Sequence, residues 1–206
     1  EILNETSRQA AKTDPHFALV GGDIAYSTAK IGNDPEEMGR WLIFLSCWQQ
    51  TMVRSDGCLI PLVVAIGNEE VKGRYDQPIS QAAGFYSLFA FPGKQGYNVL
   101  DFGNYMSVVV LDSGHTHAVY GEQAFWLKQT LQQRTQVPHK FALYHVGAYP
   151  SGRSPDRPLS ANIRKYWVPQ FEKYHLSAAF EHHDHTYKRT HLLREGKKDP
   201  DGVLYL

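Results

Sequence analysis

Five side chains with nitrogen or oxygen donors stand where the sequence reads as a strand running into a tight loop. Asp23 follows Gly21-Gly22, Asn68 follows Gly67, His145 follows Lys140–Tyr144, and His183 and His185 follow Leu176–Phe180. Carboxylate, amide oxygen and imidazole suit Zn, Fe or Mn. In an extended segment, His183-Asp184-His185 sets both imidazoles on one side, so both reach neighbouring ions. A carboxylate such as Asp23 can bridge two ions. Two ions roughly 3.5–4 Å apart form the clamp that steadies the attacking and leaving oxygens in phosphoryl transfer.

Taken singly, each residue has an ordinary explanation. Gly-Asp and Gly-Asn are common turn pairs, and a lone histidine is more often a hydrogen-bonded core or loop residue. His115 and His117 also form a His-x-His pair, but they follow a turn signal and read as surface residues. The joint occurrence at four strand ends carries the argument. In α/β sheets the loops beyond the strand C-termini form the binding crevice, and carboxylates and histidines are poor core material unless paired.

The elements that position these residues alternate. Ile2 to Lys12 has helical composition. Phe17 to Val20 and Leu59 to Ile66 read as buried strands. Glu36 to Val53 reads as a helix with Trp41, Leu45, Trp48 and Met52 on one face. Tyr97 to Phe102 and Tyr105 to Leu111 read as strands of a hairpin joined at Gly103-Asn104. Gly121 to Arg134 reads as a helix with Phe125, Leu127 and Leu131 available for packing. Ile163 to Tyr174 reads as a helix that Pro169 must kink or break. Val203 to Leu206 begins a last strand. No repeat, low-complexity tract or linker interrupts the pattern, so residues 1–206 read as one α/β domain.

Composition narrows the function classes. The chain has 206 residues, with 21 Lys plus Arg against 21 Asp plus Glu. That balance argues against a mainly electrostatic binder of nucleic acid or membrane surface. Aromatic residues make up 13%, too many for a disordered chain. No apolar run approaches the roughly 18–20 residues of a membrane span. Two cysteines exclude a disulfide scaffold and a cysteine zinc cluster. Cys47, on an apolar helix, reads as a buried free thiol.

Gly22-Asp23-Ile24-Ala25-Tyr26 has the form GDxxY. Gly67-Asn68-Glu69-Glu70 has the form GNH[DE] with Glu69 in place of histidine. Ala142-Leu143-Tyr144-His145 ends as VxxH does. His182-His183-Asp184-His185 has the form GHxH with His182 in place of glycine, continued by Tyr187 and Arg189. In this order the motifs resemble the purple acid phosphatase branch of the calcineurin-like metallophosphoesterases. Leu111 to Gly114 and Gly121 to Leu127 share the resemblance, which therefore covers essentially the whole chain. A first motif, GDxG, is absent, and the family continues past Leu206. The chain is expected to be an internal fragment truncated at both ends.

The resemblance implies an α/β sandwich of two mixed β-sheets flanked by helices. It implies two metal ions, Fe(III) plus Zn, Mn or Fe(II). Asp23 would bridge them. Tyr26 and His185 would bind the ferric ion, while Asn68, His145 and His183 would bind the divalent one. The implied reaction is hydrolysis of a phosphate monoester by in-line attack of a metal-bound hydroxide. A phosphodiester or nucleotide substrate is the alternative within the same superfamily. Glu69 either repels the phosphate, leaving a metal-binding but catalytically impaired protein, or serves as an acid. His182 is a candidate phosphate-facing donor and Arg153 a candidate phosphate clamp. Tyr149 and Ser151 follow His145 as candidate pocket residues. The implied partner is a small phosphate ester, with no nucleic acid and no membrane span, and the resemblance leans toward a secreted or periplasmic location.

Overall fold

The computed structural model describes residues 2–28 and 36–206. In chain order the elements are α1 (Ile2–Ala11), β1 (Ala18–Gly21), α2 (Met38–Thr51), β2 (Leu62–Ala65), α3 (Ala83–Leu88), β3 (Asn98–Phe102), β4 (Met106–Val110), α4 (Glu122–Gln132), β5 (His139–Val146), α5 (Pro158–Tyr166), α6 (Val168–Lys173), β6 (Ala178–His182), β7 (Leu193–Arg194), β8 (Lys197–Lys198) and β9 (Leu204–Tyr205). A single 3-10 turn spans Asn68–Glu70.

Strands β3 to β6 and β9 form a mixed sheet in the order β3-β4-β5-β6-β9, with only the β3–β4 pair antiparallel. Strands β1 and β2 form a second, parallel pair. The two sheets pack face to face through Val63 and Ala65 of β2, Val108 and Val110 of β4, and Leu143 of β5. Burying side chains of this size removes enough apolar surface to contribute roughly 1.5–3 kcal/mol each. Helices close both outer faces. Trp41, Phe44 and Trp48 of α2 cover the β1–β2 side. Leu127 and Leu131 of α4, Ile163 of α5 and Phe171 of α6 cover the larger sheet.

The elements expected from periodicity are present, with four differences. The helix expected over Ile163 to Tyr174 is two helices that break at Trp167. Pro169 can neither donate to residue 165 nor let its ring past that carbonyl. The first of the two also starts earlier, at Pro158, whose fixed φ suits a first helical position. Phe125 is 60% exposed while Leu127 is buried, because residues two apart lie on different faces of a helix. The hairpin of β7 and β8 had no strand signal; its turn is Glu195-Gly196, both at positive φ (51° and 72°).

The fourth difference concerns the site. Strand β5 does not stop before His145 but runs through it to Val146. Its register with β6 slips there: Tyr144 pairs with Glu181 and Val146 with His182, so His145 is the extra residue of a bulge. A bulge re-aims a side chain without ending the strand. Cys47 is buried and Cys58 exposed, and both are free thiols. Among the described residues no helix is long and apolar enough to cross a membrane.

Candidate metal centre

The loops after β1 and β2 touch backbone to backbone. A Cβ on Gly22 would lie 2.6 Å from the Gly67 Cα, and one on Gly67 would lie 2.3 Å from the Asp23 nitrogen. Glu70 clamps the two loops together. Its carboxylate accepts N–H groups from Asp23 (2.7 Å), Ile24 (2.6 Å) and Gly67 (3.0 Å). Four candidate ligands are held at positive φ: Asp23 (53°), Tyr26 (53°), His183 (70°) and His185 (53°). Such conformations cost about 1–3 kcal/mol each and cluster at functional sites.

Asp23, Asn68, His145 and His183 converge. The Nε2 atom of His145 lies 2.9 Å from His183 Nδ1, 3.1 Å from Asn68 Oδ1 and 3.2 Å from Asp23 Oδ2. Its Nδ1–H donates to the Gly21 carbonyl at 2.8 Å, which leaves Nε2 as a lone pair. Asn68 is oriented by its amide, which donates to Glu69 Oε1 at 2.7 Å, so its oxygen faces His145. Tyr75 touches both sides of the cluster. Its hydroxyl donates to Asn68 Oδ1 and lies within reach of His183 Nε2, each at 3.4 Å. Both bonds form together when His183 carries its proton on Nε2. With that tautomer and a neutral His145 ring, four lone-pair atoms would face one another, a set that suits a cation. Tetrahedral coordination at Zn–N of about 2.0–2.1 Å would space ligand atoms by about 3.3 Å, close to the separations seen. Asp23, His145 and His183 form a possible metal-binding group, their ligand atoms all within 4.8 Å of one another.

Titration agrees with this donor set. Burial, then the neighbouring His145 and Arg153, push His183 down to about 3, so the imidazole is neutral. Burial alone would raise Asp23, but the His145 ring beside it and the Glu69 N–H that it accepts carry it below the usual carboxylate range. Burial and the Asp23 carboxylate raise the Tyr26 phenol.

Tyr26 and His185 form a second group, Tyr26 OH to His185 Nε2 at 3.1 Å. Both groups line one cavity of about 420 Å3, together with His182, Thr186 and Tyr187. All six metal candidates read from the sequence therefore lie in one region of the fold.

The three candidate catalytic residues are placed differently. Glu69 is buried beside Asn68. Arg74 lies 3.5 Å from its Oε1, and its Oε2 has no hydrogen-bond partner. Arg153 bonds the His183 carbonyl and pairs with Asp184 at 3.2 Å. Asp184 also caps the N–H groups of Ser151 and Gly152. His182 packs its ring over Gly21, where a Cβ would meet it at 1.8 Å. Its Nδ1–H donates to the Tyr144 carbonyl at 3.1 Å, and burial pushes it down to about 4. The proton on Nδ1 is thus directed at the backbone and not into the cavity.

His115 is likewise not a surface residue but fully buried, and His117 is partly buried. Asp112 draws both inward by accepting the N–H groups of His115, Thr116 and His117. The His115 ring donates to the Arg74 carbonyl and accepts from Ser113. It stacks on Tyr75 at 5.1 Å and lies 5.5 Å from the His145 ring. Glu70, Tyr75 and His115 support the candidate ligands; Glu70 stands in the motif of residues 67–70, while no spacing marks the other two as supports. The Leu111-Asp112-Ser113-Gly114 stretch was the nearest available signal.

No family model and no curated protein sequence matches the chain. Solved structures do match. Purple acid phosphatase PPD1 from yellow lupin (Lupinus luteus) seeds aligns with a TM-score of 0.74 and 16% identity, over 99% of this chain and 38% of that one. A dimetal phosphatase from Danio rerio aligns with a TM-score of 0.62 and 12% identity, over 98% of this chain and 75% of that one. PhoD aligns with a TM-score of 0.54 and 14% identity, over 86% of this chain and 47% of that one. The chain thus spans less than half the length of the lupin and PhoD structures. Likeness at these identities is likeness of fold, and the fold of this chain is of the metallophosphoesterase type, as the order of its motifs implied.

Proposed function

We propose that residues 1–206 form the catalytic domain of a metal-dependent phosphoric ester hydrolase that acts on small phosphomonoesters and binds two metal ions. The observation that supports this reading is the convergence of His183 Nδ1, Asn68 Oδ1 and Asp23 Oδ2 on His145 Nε2, at 2.9, 3.1 and 3.2 Å. Asn68, His145, His183 and Asp23 would hold a divalent ion (Zn, Mn or Fe(II)), and Asp23, Tyr26 and His185 would hold Fe(III). When bound, the ions supply Lewis-acid activation of the phosphoryl group and of water.

The protein's own groups have defined tasks. The Gly21 carbonyl fixes the His145 tautomer, and Tyr75 fixes that of His183. Glu69 holds the Asn68 amide so that its oxygen faces the cluster. Arg153 is anchored by Asp184 and offers its remaining N–H donors to phosphate oxygens. His182 leaves Nε2 free to accept a proton. The resemblance in sequence supports a secreted or periplasmic location.

The test is elemental analysis of the purified chain after loading with Fe, Zn and Mn, with hydrolysis of a phosphomonoester and a phosphodiester measured on the same sample. Two ions and faster monoester cleavage are expected. No retained metal overturns the reading, and faster diester cleavage moves the substrate class. One observation favours a second reading, an impaired enzyme: the buried Glu69 Oε2 has no partner, and a bare carboxylate there repels phosphate. Glu69→His separates the two. A sharp rise in turnover supports impairment, whereas a change of less than threefold shows that glutamate works in this setting.

A further inference from the structure

A second cavity, of about 490 Å3, has His183 in its lining, as does the cavity that holds Tyr26 and His185. The two share that side chain. Tyr75 forms part of the second cavity's wall and also bonds Asn68 and His183. The space therefore borders the donor cluster directly, through His183 and Tyr75. The volume falls within the roughly 300–1,000 Å3 of small-molecule sites.

The lining has a definite chemistry. Val119, Val146 and Leu159 give it an apolar surface, and two guanidinium groups, Arg153 and Arg157, line it as well. Arg153 is paired with Asp184, whereas Arg157 is exposed and has no acidic partner among the described residues. Asp184 is taken up by Arg153 and two backbone N–H groups. A polyol placed against the valines and leucine would leave hydroxyls without partners, at a cost. An apolar ring would gain by the same contact; Arg157 brings a donor for a phosphate oxygen to a lining that also holds the Asp76 carboxylate.

We propose that this cavity receives the alcohol moiety of the phosphomonoester, and that this moiety is an aryl or similarly bulky apolar group. The proposal rests on the phosphomonoesterase reading. It makes Ala118, Leu159 and Arg157 determinants of substrate choice. Ala118 lies on an exposed stretch of the same wall, so a large side chain there fills the space with little demand on the core.

The experiment uses the metal-loaded chain and two alkyl monoesters of similar leaving-group chemistry, 2-phenylethyl phosphate and glycerol 2-phosphate. It also measures, by calorimetry, the binding of two non-hydrolysable phosphonates that differ in their organic group, 2-phenylethylphosphonate and methylphosphonate. The wild type is expected to prefer the phenylethyl compounds at least tenfold in kcat/KM and in Kd. Ala118→Trp is expected to cut both preferences at least fivefold. Asn162→Phe, on α5, narrows the same cavity from a different element and guards against a folding failure of the first variant. Turnover of both esters with no phenylethyl preference, or a preference that neither variant changes, overturns the pocket assignment alone. Turnover of neither ester by the wild type overturns the phosphomonoesterase reading and the pocket assignment with it.

Discussion

At the residue scale, the chemistry of the cluster depends on where two protons sit. The Nδ1–H of His145 points at the Gly21 carbonyl, and when His183 carries its proton on Nε2, toward Tyr75, both rings turn lone pairs on the same point as Asp23 and Asn68. Tyr75 is the less obvious of these supports. Its ring stacks on His115, and only its hydroxyl reaches the ligands. Tyr75→Phe keeps the ring and removes the hydroxyl. Loss of such an outer contact costs about 10–100-fold in metal affinity. Competition of the loaded protein with a chelator should show that loss for a divalent ion, with an unchanged melting temperature in the metal-free state. Unaltered affinity would mean that Tyr75 only packs. Five of the ligand candidates stand at strand ends in the sequence, and Tyr26 came only from the resemblance of residues 22–26 to GDxxY. Tyr75 and His115 were not legible there, because a residue that acts through another carries no spacing of its own; Glu70 stood in the motif of residues 67–70, but its clamp on the two loops did not show there. His115 looked like surface because its burial is imposed by Asp112 and Arg74, neither of which the local pattern names as a partner.

At the element scale, the site exists because two parallel strands end at the same level and their loops interlock. Gly22 and Gly67 are in contact at a spacing that excludes any side chain. Gly67→Ala would drive a Cβ against the Asp23 nitrogen (2.3 Å) and the Asp23 Oδ1 (2.5 Å), both fixed parts of the loop. Overpacking of this kind costs typically 1–3 kcal/mol, and here the strain falls on a ligand. The variant should melt several degrees lower and lose metal at the same time. Stability lost with metal binding intact would separate the loop contact from the site. The strand-end pattern was readable, since turn glycines and donor residues stand side by side in the chain. The bulge at His145 was not, because it is a register difference between β5 and β6 that neither strand encodes alone. The break at Trp167 was half readable: Pro169 requires it, but its position depends on the packing of Trp167 into the core.

At the scale of the whole molecule, the fold stores neutral histidines in its interior. Burial pushes both His115 and His182 down to about 4, from an ordinary value of 6.5. Between those limits the unfolded chain binds protons that the native chain does not, so stability rises with pH and is lost as pH falls from about 6.5 toward 4. Burial raises Glu70 to about 7, from 4.5, which opposes this over much of the same window. One carboxyl against two imidazoles leaves the histidines dominant. The depressed carboxylates, Asp23 and Asp112, act only lower, since their stabilising effect is present above their ordinary value of 3.8 and lost below it. The net slope for one uncompensated group approaches about 1.4 kcal/mol per pH unit. Urea unfolding of the metal-free chain at pH 7, 6 and 5 should therefore show a midpoint that falls with acid, before any carboxylate of ordinary or depressed pKa is protonated. His115→Gln should flatten the profile while lowering overall stability, because the Arg74 and Ser113 contacts are lost with the ring. A midpoint constant from pH 7 to pH 5 would show that these rings are protonated in the native state, and with them the assignment of His182 as an acceptor would fall.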